Sequence, residues 1–241
     1  QPYLYRIELL DRFFDMLDNR EIVFVRPTCW TDPLENIIYN ATLLKNGKPF
    51  EHPAKKQIYG QCWSHEGDSY ALWQIYTTKA NNKGITKRHY GVRITTHIDK
   101  LQNITNHNKG NFYYGMVQYL WKKDLDKLPK NKSFITGLKS TSLNHEHLKT
   151  LLVKRKSYAY ENEVRLLAVP DKKHIDRSKD FLCRLKIKPS EFVTSVRLDP
   201  TLPQSDFKLL KDKLVSKYGF KPTQVSQSSL NASNKFILNL D

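Results

Sequence analysis

Apolar positions first recur at helical spacing in RIELLDRFFDMLD. There Leu9, Leu10, Phe13, Phe14 and Leu17 share a face and predict a helix over 7–18. EIVFVRP then reads as a short strand stopped by Pro27. Residues 57–64 predict a strand. The apolar run of 68–78 predicts a buried helix capped by Asp68 or Ser69. Strand patterns return in HYGVRITT, NFYYGMVQYL, ENEVRLLAV, FLCRLKI and FVTSVRL, with a further helix over 142–153. SDFKLLKDKLVSKYG is the clearest helix. Ser205 is its expected cap, Gly219 its left-handed stop, and Phe207, Leu210, Leu214 and Tyr218 its buried stripe. Residues 224–234 read as the least ordered stretch, and KFILNL as a closing strand. Short strands with few helices predict an α+β fold, taken as a single domain over residues 1–241.

Composition adds a partner class. Across 241 residues, 40 Lys and Arg stand against 24 Asp and Glu, a formal charge of +16. Aromatics at 12% are enough for a packed core, and the charge points to a polyanionic partner. No apolar run approaches the ~20 residues that span a bilayer, and QPYLYRIELL lacks the order of a signal peptide. The three cysteines, Cys29, Cys62 and Cys183, are odd in number and widely spaced. They argue against a disulfide framework and against a C-x-x-C zinc site. The expectation is a soluble cytoplasmic protein with no membrane partner.

Candidate chemistry gathers in a few segments. In YENEVRLLAV, strand alternation places Glu161 and Glu163 on one face, where two carboxylates repel unless a cation or a function requires them. The plainer reading pairs them with Arg165, Arg155 or Lys156. In QCWSHEGDSYALWQIY, Ser64 ends a strand before a helix start, and Trp63, Trp73 and Tyr76 offer flat faces for a base or nicotinamide ring. They serve equally well as core. CWTDPLEN reads as a turn, with Asp32 before Pro33 and Glu35 in a first helical turn. Arg6 and Arg26 are candidate pyrophosphate clamps or ordinary surface arginines. From Trp121 to Lys156 there are ten Lys and Arg against Asp124, Asp126 and Glu146. Lys122, Lys123, Lys154, Arg155 and Lys156, with Tyr113 and Tyr114, are thus candidates for nucleic-acid binding. A solvated lysine-rich face is the alternative.

YLYRI, RPTCWTDPLE, QCWSHEGDSYALWQIY, YENEVRL and FVTSVRLDP, in that order, resemble a widespread bacterial family of unknown function. Its members carry F/W-x-D-P-x-E, a C-W-S turn before a W-x-x-Y helix, and a late Y-E-x-E-x-R-L strand. One departure is Arg197-Leu198-Asp199, where relatives often carry a glycine. The layout is in turn similar to the ADP-ribosyltransferase superfamily, with a cation on the first strand, a Ser/Thr strand in the middle and a late E-x-E. Here the middle motif reads C-W-S.

That resemblance implies split antiparallel sheets flanked by helices. It also implies NAD as substrate without a metal, Glu163 as the catalytic carboxylate and Glu161 as the group that orients or deprotonates the nucleophile. Arg6 and Arg26 would meet the pyrophosphate, Ser64 the ribose or Glu163, and Trp73 or Tyr76 the nicotinamide. The function it implies is a toxin or phage-defence effector that modifies RNA or DNA, with an antitoxin or inhibitor protein as a further partner. A metal-dependent nuclease using Glu161, Glu163 and Asp32 or Glu35, and a non-catalytic nucleic-acid-binding module, are the competing readings.

Overall fold

The computed structural model describes residues 2–30, 32, 35, 40–80, 83–140 and 142–232. The strand expected in KFILNL lies outside the described residues. The chain opens with β1 (Tyr3–Leu9), the helix Leu10–Asn19 and β2 (Glu21–Val25). Ile7 to Leu9 therefore belong to the strand, not to the helix expected from residue 7. The cause is tertiary: β1 pairs with a neighbour along its whole length, up to Leu9↔Gly91. The helix turns Phe13, Met16 and Leu17 inward and stops at Arg20, which is left-handed.

Two short hairpin strands follow, β3 (Leu43–Lys45) and β4 (Lys48–Phe50), then β5 (Tyr59–Ser64) and the helix Tyr70–Thr77. Ser69 caps that helix by accepting from the Leu72 N–H. Next come a hairpin, β6 (Thr78–Ala80) with β7 (Thr86–Arg88), and the strands β8 (Gly91–His97) and β9 (Gly110–Met116). The run NFYYGMVQYL breaks at Val117, because β10 (Gln118–Leu120) leaves the main sheet to pair in parallel with β11 (Val153–Arg155). The helix expected over 142–153 is only His145–Lys149 with a 3-10 turn behind it. β12 (Glu163–Pro170), β13 (Leu182–Lys186), β14 (Ser195–Leu198), the helix Gln204–Tyr218 and β15 (Val225–Gln227) complete the described chain.

The fold is α+β. Nine strands form one sheet in the order β13-β2-β5-β1-β8-β14-β15, with β12 and β9 attached through β5. The branch strand β5 pairs with β12 from Tyr59↔Ala168 to Ser64↔Glu163. Its other edge meets β2 at Gly60↔Val25 and β1 at Ser64↔Tyr5, so the sheet splits along β5. The pairing is antiparallel except for β14–β15 and β10–β11.

One hydrophobic core runs from Leu4 to Val225. It includes Leu214, with Phe207, Leu210 and Tyr218 of the last helix against it, as their spacing predicts. Pro203, not Ser205, is the residue before that helix, and Gly219 closes it in the left-handed region. Val225–Gln227 is a strand because β14 gives it a parallel partner, although the composition of 224–234 reads as loop. Asp199, directly after β14, is fully buried: it accepts from Arg88 and from the Gly91 N–H. No helix among the described residues is long and apolar enough to cross a membrane.

Candidate active site

The split beside β5 opens a small cleft. Arg6 reaches it from β1, Cys62 and Ser64 from β5, Tyr76 from the helix Tyr70–Thr77, and Glu161 and Glu163 from the start of β12. Strand register accounts for the meeting, because Ser64 lies opposite both Tyr5 and Glu163. Three segments far apart in sequence thus converge at one end of one strand.

The two glutamates reach the cleft by a route different from strand alternation. Glu161 ends a 3-10 helix (Lys156–Glu161), Asn162 is left-handed at φ 42°, and β12 begins only at Glu163. The kink returns both carboxylates to one point, which Lys154 occupies. Its Nζ lies 2.6 Å from Glu161 Oε2, 2.8 Å from Glu35 Oε1 and 3.1 Å from Glu163 Oε2. Arg165, fully buried, adds Nε at 2.7 Å from Glu163 Oε1 and Nη2 at 3.2 Å from Glu35 Oε1. The Trp30 ring covers the Arg165 guanidinium at 4.3 Å. The plainer expectation of a paired carboxylate holds for Arg165, whereas Arg155 pairs with Asp32 instead.

This network drives the two glutamates apart in acidity. Burial alone would raise Glu163, but Arg165 and Lys154 outweigh it and hold the carboxyl at about 2. Burial raises Glu161, against the opposing hydrogen bond and charge of Lys154. Lys154 is raised: burial works against its charge, but Glu163, Glu161 and Glu35 prevail. Burial and the Glu163 charge push the Cys62 thiol up, and burial with Glu161 nearby pushes the Tyr76 phenol up. Glu163 is anionic and Glu161 is the more basic of the pair, an arrangement suited to one electrostatic and one proton-accepting role.

Ser64 serves the backbone. Its Oγ donates to the Glu161 carbonyl at 2.5 Å and accepts from the Glu66 N–H at 2.7 Å. The His65 N–H donates to the Asn162 carbonyl, and the Glu163 N–H donates to the Tyr119 hydroxyl at 2.7 Å. Together these bonds clamp the kink. Arg6 donates to the Cys62 carbonyl at 2.6 Å and pairs with Glu8 at 3.3 Å. Those bonds engage two of the five donors a guanidinium carries.

Three expected site residues lie elsewhere. Trp73 is fully buried, and its indole N–H donates to Asp68. It packs with Ile7 and Leu72 and is not among the described residues lining the cleft. Arg26, beyond β2, holds Asp180 and the Tyr59 hydroxyl and is also outside that lining. Lys154, expected on a nucleic-acid surface, is instead the cation at the centre of the carboxylates. Its neighbours Arg155 and Lys156 are exposed, as are Lys122, Lys123, Tyr113 and Tyr114. Lys154, Tyr119 and Cys62 are site residues that sequence reasoning missed. The one signal for Lys154 was its place directly after the apolar run Leu151 to Val153.

Residues 72–166 match a family model described as a protein of unknown function, DUF2971. The DUF2971 segment runs from the helix that carries Tyr76 to the strand that carries Glu163, and so contains Lys154, Glu161 and Arg165. It bears out the expected likeness to a widespread family of unknown function. Arg6, Glu35 and Ser64 lie before it. Searches of curated proteins and of solved structures found no significant match.

Proposed function

We propose that the protein cleaves the nicotinamide–ribose bond of NAD and transfers ADP-ribose to an acceptor. The observation that carries the reading is the convergence of Arg6, Ser64 and Glu163, far apart in sequence, on one cleft. Breaking the glycosidic bond sends its electron pair to the nicotinamide nitrogen and leaves an oxocarbenium-like ribose. A carboxylate held ionised beside that centre favours the transition state over the ground state, and Glu163 is held so. Glu161, raised by burial, takes the proton of the acceptor nucleophile as its bond to ribose forms. Arg6 supplies donors for the pyrophosphate, and the half-exposed Tyr76 supplies a face for the nicotinamide. Ser64 and Tyr119 act as positioning residues, through the Glu161–Glu163 kink. Lys154 and Arg165 keep Glu163 ionised.

The charge of +16 supports a nucleic-acid acceptor over a protein. An effector that modifies RNA or DNA, as a toxin or in phage defence, is the setting this chemistry suits. The competing nuclease reading needs Glu161, Glu163 and Asp32 or Glu35 for a divalent ion. The Lys154 ammonium already sits among Glu161, Glu163 and Glu35, and Asp32 pairs with Arg155.

The test is to incubate the protein with NAD labelled in its adenylate, together with RNA, DNA and cell lysate, with and without EDTA. The reading expects label on nucleic acid in both conditions. Nucleic acid cleaved without label, and only when EDTA is absent, would overturn it in favour of the nuclease.

A further inference from the structure

Beyond the cleft, β10 and β11 form a two-stranded parallel ribbon with two unlike faces. Tyr119 and Lys154 lie opposite each other and contact the glutamates. Leu120 and Arg155, the next pair, line the other face. On that side a groove runs past Tyr114, Met116 and Leu120 and continues through Leu120 and Leu128 to Trp121. Four large apolar side chains stand in solvent along it: Tyr113 is 40% exposed, Tyr114 58%, Met116 63% and Trp121 61%. Lys149 flanks the first part, and Lys122, Arg155 and Lys156 flank the part around Trp121. The acids in it, Glu146 and Asp126, are each paired with a lysine of the same groove.

We propose that this groove holds a single-stranded polynucleotide. Exposed flat rings beside cations fit a chain of stacked bases and phosphates. An acidic peptide would compete with Glu146, Asp126 and Asp32 for Lys149, Lys122 and Arg155 and would leave the Tyr114 and Trp121 rings unstacked. The chain ties the groove to the cleft. Lys156 and Ser157 line its end, and the 3-10 helix that starts at Lys156 delivers Glu161 to the glutamate pair. At a rise of about 2 Å per residue, that helix covers about 10 Å. Three nucleotides at about 3.4 Å each cover the same length. The groove deepens the transferase reading by narrowing its nucleic-acid acceptor to a single strand, and it rests on that reading only for the chemistry that follows binding.

Binding can be tested without NAD, so its outcome is independent of glycosidic cleavage. Fluorescently labelled single-stranded RNA and DNA oligonucleotides, a duplex of the same sequence and polyglutamate would be titrated at several salt concentrations. Single strands are expected to bind in preference to the duplex and to polyglutamate. Trp121→Ala is expected to weaken them about tenfold while Trp121→Phe retains binding. Lys156→Ala should lower the salt slope by about 0.7. No binding of single strands, binding unchanged in Trp121→Ala and Lys156→Ala, or equal binding of duplex or polyglutamate would overturn the proposal. Loss of binding in Trp121→Phe as well as Trp121→Ala would count against stacking and overturn it too.

Discussion

Removing the Lys154 ammonium would leave Glu35, Glu161 and Glu163 facing one another with only Arg165 to offset them. Lys154→Met should therefore cost about 3–5 kcal/mol near pH 7, the usual cost of breaking a buried ion pair. In that variant Glu161, raised by burial, loses the cation that opposes the rise and is more basic when folded than when unfolded. The loss is then greatest at neutral pH and shrinks as pH falls toward the unfolded carboxylate range of about 4.3. Denaturant titrations at pH 7 and pH 5 measure it; equal losses at both would contradict the account.

Glu163→Gln follows the same direction with pH for a different reason. The folded carboxyl titrates at about 2, so its stabilising contribution is present above the unfolded value and is lost as pH falls through 2. Its cost should thus be larger at pH 7 than at pH 3, measured the same way. At this scale the sequence revealed the glutamates, because two carboxylates one residue apart demand a cation. It concealed which cation. Within the basic KRK of residues 154–156, burial alone separates Lys154 from its exposed neighbours.

Two elements hold the site in shape. The kink at Asn162 requires left-handed backbone, which Asn and Gly adopt at small cost and a β-branched residue does not. Asn162→Gly should change stability by less than about 0.5 kcal/mol, and Asn162→Val should cost about 1–2 kcal/mol. Thermal melts read the stability, and transfer of label to an acceptor, the step proposed for Glu161, reads the misplacement of Glu161 that Val would cause.

On β5, a Cβ at Gly60 would sit 2.5 Å from Trp30 Cζ2, and Trp30 covers Arg165. Gly60→Ala should destabilise by about 1–3 kcal/mol through overpacking. An unchanged denaturation midpoint would show that the ring has room to move.

Most strands were legible from their apolar runs, since β5, β12 and β13 lie where alternation or β-branched residues predict. Their partners were not. Nothing in NFYYGMVQYL says that its first part pairs with β12 and its last three residues with β11. Nor does local sequence announce a left-handed Asn162 between two glutamates that alternation would set on one strand.

Across the whole molecule, the sheet splits along β5 and places the glutamates on one side of the β10–β11 ribbon and an aromatic, basic groove on the other. Of the ten Lys and Arg between Trp121 and Lys156, all but Lys154 are exposed. The composition made this charge visible but could not divide it between surface and site. The convergence of Arg6, Ser64 and Glu163 was legible only as an order of motifs. Register turned that order into a cleft.

In the proposed reaction, Glu163 in this cleft promotes scission of the nicotinamide–ribose bond. Release of nicotinamide from ring-labelled NAD tests it most directly, comparing the wild type with Glu163→Gln and Glu161→Gln, each confirmed folded by thermal melt. The account predicts release by the wild type, at least about 100-fold less by Glu163→Gln, and a deficit in Glu161→Gln concentrated in transfer to an acceptor. Release that is absent from the folded wild type, or undiminished in folded Glu163→Gln, would contradict it.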